Sequence, residues 1–203
     1  MTWKLQDSYT AGLCSGVLAI VTFCVLYPIA AYQDPDYRFL DNYLSDLGVG
    51  SGAWAFNSAL IVTGSLLAVF AIFGVYRAIG IGIWSKLGTA ALAISGAFLV
   101  CIGIFTEDFD EVHTFFSFAF FITLLITLGL LSVAMIRTKA LGSIGTGASI
   151  TAFVAGATLI PLGANPFTET IAVLIILAWG SSITVLIFLK DQVQGSGEPY
   201  LRR

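Results

Sequence analysis

The chain has 203 residues, 58% hydrophobic and only 10% charged, with a formal net charge of -3 and a mean hydropathy of +0.94. Soluble domains carry about a quarter charged residues, so the composition excludes one, and apolar runs near the ~20 residues that cross a ~30 Å hydrocarbon core point to a polytopic helical membrane protein. A pI near 4.9, with no cluster of Lys or Arg, excludes nucleic acid as a partner.

In chain order, the hydropathy predicts six spans, at 9–32, 53–78, 84–105, 112–137, 141–162 and 168–189, in one all-α transmembrane bundle spanning 1–203. The first run is too long for the ~7–15-residue core of a signal peptide and no small-x-small site follows it, so it is read as a retained helix. Residues 190–203, with Gly195, Ser196 and Gly197, are expected to form a flexible cytoplasmic tail. Lys4, Arg77, Lys86, Arg137, Lys139, Lys190, Arg202 and Arg203 fall on one side of the six spans, and of the nine cations only Arg38 falls on the other. Lys and Arg near span ends stay cytoplasmic, so both termini are expected in the cytoplasm and the acidic loops outside the cell membrane. Trp3, Tyr76 and Trp84 on one side, and Tyr32, Tyr37 and Trp54 on the other, fit interfacial aromatic girdles.

Lipid supplies no hydrophobic drive between helices, so close approach needs small residues. Gly12 and Gly16 form such a pair in the first span. The fifth carries Gly142, Gly145, Gly147, Ser149, Ala152 and Gly156, which predicts that it is central. Cys14, Cys24 and Cys101 are odd in number and lie in apolar runs; Cys14 and Cys24 stand about 15 Å apart on one helix, too far to bridge.

No Asp, Glu, Lys, Arg or His occupies the middle of a span, which removes the usual mark of a proton relay or ion pathway. Polar chemistry gathers in two places on the acidic side. In 34–52, Asp34 and Pro35 read as a helix start and Gly48 as a stop, with Tyr37, Leu40, Leu44 and Leu47 at helical spacing. A short amphipathic interfacial helix is predicted there, pairing Arg38 with Asp34 and Asp41 and offering Asp41, Asn42, Ser45 and Asp46 to a ligand. In 106–117, Asp108 and Glu111 have capping-box spacing. Glu107 and Ser117 flank the single histidine, His113. Imidazole and carboxylate suit zinc, and carboxylates suit calcium, so His113, Asp108 and Asp46 are the candidate metal ligands. Haem is excluded by the shortage of axial ligands. Asn57 near the start of the second span, and Asn165 with Glu169 at the start of the sixth, lie at the same level.

The stretch Tyr43-Leu44-Ser45-Asp46-Leu47-Gly48, then Trp54, Phe56-Asn57 and Gly64, and Gly103-Ile104-Phe105-Thr106-Glu107-Asp108 leading to His113, resembles the family called domain of unknown function 998, found in archaea and bacteria. Thr106 stands where that family usually has proline. The resemblance implies a six-helix integral membrane protein without an assigned reaction, and marks Ser45, Asp46, Asn57 and His113 as one shared site. The favoured expectation is an acidic outer site that binds a lipid headgroup, a small molecule or a partner, with membrane lipids around it and the oligomeric state open. A second is a zinc-dependent interfacial lipid hydrolase, broadly similar to intramembrane ceramidases, with His113 as ligand or base, Asp46 or Asp108 as a second ligand, and Ser45 or Ser117 polarising a substrate oxygen. A third is a small-solute transporter lined by Thr63, Ser65, Ser95, Ser149 and Thr151.

Overall fold

The structure, a computed structural model, describes residues 2–195, and side chains within 9–193. A chain in lipid must satisfy every backbone N–H and C=O within itself, so each long apolar run becomes a helix. Six helices are long and apolar enough to cross a membrane. They are α1 (Thr2–Gln33), α2 (Ala53–Ile79), α3 (Ile83–Ile104), α4 (Glu111–Thr138), α5 (Gly142–Leu159, tightening to a 3-10 turn over Ile160–Leu162) and α6 (Pro166–Gly195). The last helix continues to Gly195, beyond the expected end at Leu189; residues 196–203, with Arg202 and Arg203, lie outside the described residues, as does the side chain of Trp3.

Each helix packs on its chain neighbour, and α6 returns to α1, closing a ring. Crossings in the first half bring backbone against backbone. A Cβ at Gly64 would meet the Gly96 carbonyl oxygen at 2.5 Å, and a Cβ at Gly96 would meet that of Gly64 at 2.5 Å, so α2 and α3 cross through two glycines. Gly12 of α1 lies against the backbone of Phe73 and Gly74, within a π-helical turn of α2 (Phe70–Val75). The buried Phe70 ring fills the slot left by Gly16 and Gly74.

The expectation that the fifth span is central is overturned. Only 17% of α5's most apolar stretch is buried, against 44% in α3 and α4. Gly147 has nothing within 4 Å of a built Cβ. Gly142 is likewise open and serves instead a turn at φ +64°. Gly156 touches only the Leu125 side chain at 3.2 Å. What ties this half together is a buried polar relay: Trp179 Nε1 of α6 donates to Ser149 Oγ of α5 at 3.0 Å, and that hydroxyl reaches Met135 Sδ of α4 at 3.4 Å.

The two ends of the bundle differ in charge. At one end Lys190 Nζ donates to the Ala78 carbonyl at 2.7 Å, and Arg137 lies over the Trp84 ring, 5.7 Å from its centroid. The other end holds the loops 34–52, 105–110 and 163–165, with the acids.

Candidate functional site at the acidic end

The expected amphipathic helix over 34–48 does not form. Short polar side chains capture the N–H groups that a helix would use: Asp34 Oδ1 accepts from Asp36 N at 3.2 Å, Asn42 Oδ1 from Arg38 N at 2.9 Å, and Asp46 Oδ2 from Tyr43 N at 3.1 Å. Leu40 takes φ +71°, which breaks the remaining helical path. Two turns result, then a single 3-10 turn, Ser45–Gly48. Leu44 and Leu47 are buried by this turn, whereas Leu40 is exposed. The Gly48 carbonyl accepts from Asn57 Nδ2 at 2.9 Å, which pins the turn to the top of α2. Asn57 thus satisfies loop backbone, one of the two roles that an amide at a span end is expected to take.

That turn delivers Ser45 and Asp46 to carboxyls from two other segments. Glu169, in the first turn of α6, accepts the Leu44 backbone N–H at 2.7 Å. It also neighbours Ser45, Glu107 and Asp46. Helix α6 starts where it does because Asn165 and Thr168 exchange side-chain to backbone bonds, both at 3.0 Å, with Pro166 at the first helical position. Glu107 comes from a 3-10 turn (Glu107–Phe109) between α3 and α4. It lies beside Ser45 and Asp46. Burial lifts its carboxyl above the ordinary range, the neighbouring Ser45 hydroxyl and His113 offset part of this, and the adjacent Asp46 adds to it. Asp46 is already held by Asn42 Nδ2 at 3.0 Å.

His113 is buried in the first turn of α4 and its Nδ1 lies 2.7 Å from the Phe105 carbonyl oxygen. A carbonyl only accepts, so Nδ1 donates to it. The partner is loop backbone. The Asp108/Glu111 capping box is absent: α4 opens after Asp110 at φ +43° with no side-chain cap.

Below this cluster lies a cavity of about 80 Å³ on the axis of the ring. Ser45, Ser117 and Glu169 line it among apolar side chains that include Phe23, Leu60 and Phe120. Above it a small cleft is bounded by Asp34, Asp36, Tyr37, Asn42 and Asp46. Ser45 and Asp46, adjacent on one turn, therefore stand between the cleft and the cavity. Tyr37 bonds the Tyr27 hydroxyl at 3.2 Å, and burial raises the pKa of its phenol.

Of the expected site residues, Ser45, Asp46, Glu107 and His113 converge, Asn42 and Asn57 support the turn, and Ser117 lines the cavity. Arg38, Asp41 and Asp108 are exposed. Among the described residues no group of three His, Cys, Asp or Glu side chains is placed to hold a metal ion, and of His113, Asp108 and Asp46, Asp108 is exposed. Of the hydroxyls considered for a solute path, Thr63 lines the axial cavity and donates to the Ala19 carbonyl, Ser65 donates to Ile61 and Ser95 to Ala91, and Thr151 is exposed. Sequence reasoning underweighted Glu169, because an acid in a first helical turn is already explained by the helix dipole. It missed Phe23 and Phe120, which are indistinguishable from other apolar residues until the ring closes.

The family model described as Protein of unknown function (DUF998) matches residues 17–187, and the chain belongs to that family. No curated protein and no solved structure matches.

Proposed function

We propose that this member of the family binds a single-chain amphiphile, with the chain in the axial cavity and the polar end at Ser45, Glu107 and Glu169. The observation that carries the reading is the junction itself: one wall of an apolar cavity ends in a serine and a carboxyl. Binding sites of this kind are mostly apolar, with a few placed polar groups that fix orientation. A volume of about 80 Å³ suits part of one chain and is too small for a two-chain lipid. The distribution of cations supports a cell-membrane protein with cytoplasmic termini, which sets the binding site on the outer side.

The test is to purify the full chain in a mild detergent and identify copurifying amphiphiles by mass spectrometry, for the wild type and for Val173→Trp, which fills the cavity from α6. A retained single-chain species that is lost in the variant supports the reading. Equal content in both proteins, or none in either, removes it.

A further inference from the structure

The basic end of the bundle carries a polar feature independent of the axial cavity. Ser85 Oγ and Thr170 Oγ1 are the buried side-chain atoms that lack a hydrogen-bond partner among the described residues, and Ser85 is only 1% exposed. Elsewhere a helical hydroxyl returns to the carbonyl four residues back, as in Ser65, Thr89, Ser95 and Ser132. Ser85 has no helical carbonyl at that spacing, because α3 begins at Ile83, and its Cβ tilts toward the helix start. A Cβ built on Gly82 would meet Ser85 Oγ at 3.9 Å and no other atom within 4 Å, so the hydroxyl faces an open N-cap position. The Lys86 N–H makes the first return bond, to the Gly82 carbonyl at 2.9 Å. Ahead of it stand the N–H groups of Ile83, Trp84 and Ser85, and Gly82 has no side chain with which to cap them.

Uncapped N–H groups, the positive end of a 22-residue helix and an unpartnered hydroxyl together suit an anion. The surrounding charge has the matching sign. The Arg137 guanidinium, from the end of α4, lies 5.7 Å from the centroid of the Trp84 ring, within the same first turn, and Lys86 follows directly. Among the described side chains the acid at this end of the bundle is Asp191, beside Lys190 on α6, which packs on α1 and α5. Ile81 and Ile83 flank the position and are 87% and 61% exposed. In a membrane-spanning chain such side chains lie against lipid, so the start of α3 stands at headgroup depth, where the anions at hand are lipid phosphates. We infer that the start of α3 binds the phosphate of an anionic membrane lipid. Its oxygens take the N–H groups of Ile83, Trp84 and Ser85 and the Ser85 hydroxyl, Arg137 balances the charge, and the acyl chains run past Ile81 and Ile83.

The experiment titrates the full chain in neutral maltoside micelles, by calorimetry against protein-free micelles, with dioctanoyl phosphatidylglycerol, dioctanoyl phosphatidylcholine, dioctanoylglycerol and inorganic phosphate. The proteins are the wild type, Gly82→Asp and Ser85→Ala. Gly82 has φ -174°, extended backbone that any residue adopts, with open space at its Cβ, so an aspartate there supplies the missing cap from within the chain. Gly82→Asp should therefore keep or raise the melting temperature of the lipid-free protein while its carboxylate occupies the site. Phosphatidylglycerol is expected to bind the wild type at least tenfold more tightly than the other three probes, and the preference to shrink to within about threefold in Gly82→Asp. Phosphatidylcholine or dioctanoylglycerol binding as tightly as phosphatidylglycerol overturns the inference, as does an undiminished preference in Gly82→Asp. Inorganic phosphate that binds as tightly as the lipid, and is lost in Gly82→Asp, assigns the position to a soluble phosphate and overturns the lipid. Should Gly82→Asp not purify, Ser85→Ala decides, since it removes a hydroxyl that bonds nothing in the lipid-free chain. Its melting temperature should hold while phosphatidylglycerol binding weakens at least threefold, and unchanged binding overturns the inference.

Discussion

Helices α2 and α3 cross where Gly64 and Gly96 each face the other's carbonyl, while α5, with more glycine than any other span, turns Gly147 toward open space. The first half of the ring is held by backbone proximity and the second by the relay from Trp179 through Ser149 to Met135. Glycine count therefore does not locate the centre of a membrane bundle. A small residue draws two helices together only where the partner has a small residue in register, and α2 and α3 meet that condition at 64 and 96. The relay compensates in the other half: in lipid, a buried indole N–H without a partner costs more than the same group would in water.

The largest expected effect tests the first half against the second. Gly64→Leu drives a side chain into the Gly96 carbonyl and the Val100 backbone, so the monodisperse peak in detergent size-exclusion chromatography should be lost. Gly147→Leu should shift stability by no more than ~0.5 kcal/mol, as at other open positions. If Gly147→Leu proved as damaging, α5 would have to be covered by something other than lipid, and the contrast would break.

Next comes the relay. Ser149→Ala leaves the buried Trp179 N–H unsatisfied and should cost ~1–3 kcal/mol in thermal unfolding. Trp179→Phe added to it should cost less than the sum of the two single changes, since the orphaned donor goes with the indole. Strict additivity would show that the relay does not hold α5 to α6.

The acidic end supplies a smaller effect. Asn57→Ala removes the donor to the Gly48 carbonyl; interhelical side-chain bonds in membranes average ~0.6 kcal/mol. The expected outcome is faster proteolysis within 34–52 at nearly unchanged melting temperature. A melting temperature that falls as far as in Ser149→Ala would make the turn a structural keystone and not a local cap.

Smallest is the pH dependence of Glu107. Its carboxyl sits above the ordinary value of 4.5, chiefly through burial, so the folded chain binds that proton more tightly than the unfolded chain. The resulting stabilisation is complete below 4.5 and is lost as pH rises through the higher folded value. Melting temperature should therefore decline gently over that window, and less steeply in Glu107→Gln. The half-exposed position of the group keeps the effect modest.

The legibility of the sequence follows the same physics. The helix ends lay close to the expected ones because lipid penalises any unpaired backbone group, and a long apolar run has one solution. The loop at 34–48 was misread because its Leu and Tyr spacing is helical, while Asn42 and Asp46 offer backbone N–H groups a competing acceptor. Propensity alone cannot weigh that competition. Ser45, Asp46 and His113 were visible as polar residues at one membrane level. Their meeting with Glu169, 125 positions from Leu44, was not.

Hydrophobicity by itself determined six membrane-spanning helices in one bundle and the gathering of acids at one end, because those properties depend on transfer of each segment between water and lipid. Tertiary structure alone decided which helices touch, that α5 is peripheral, and that Ser45 and Glu169 meet above an apolar cavity. Those outcomes depend on the register at which side chains from distant segments pack, and register is a property of pairs of helices that no single segment carries.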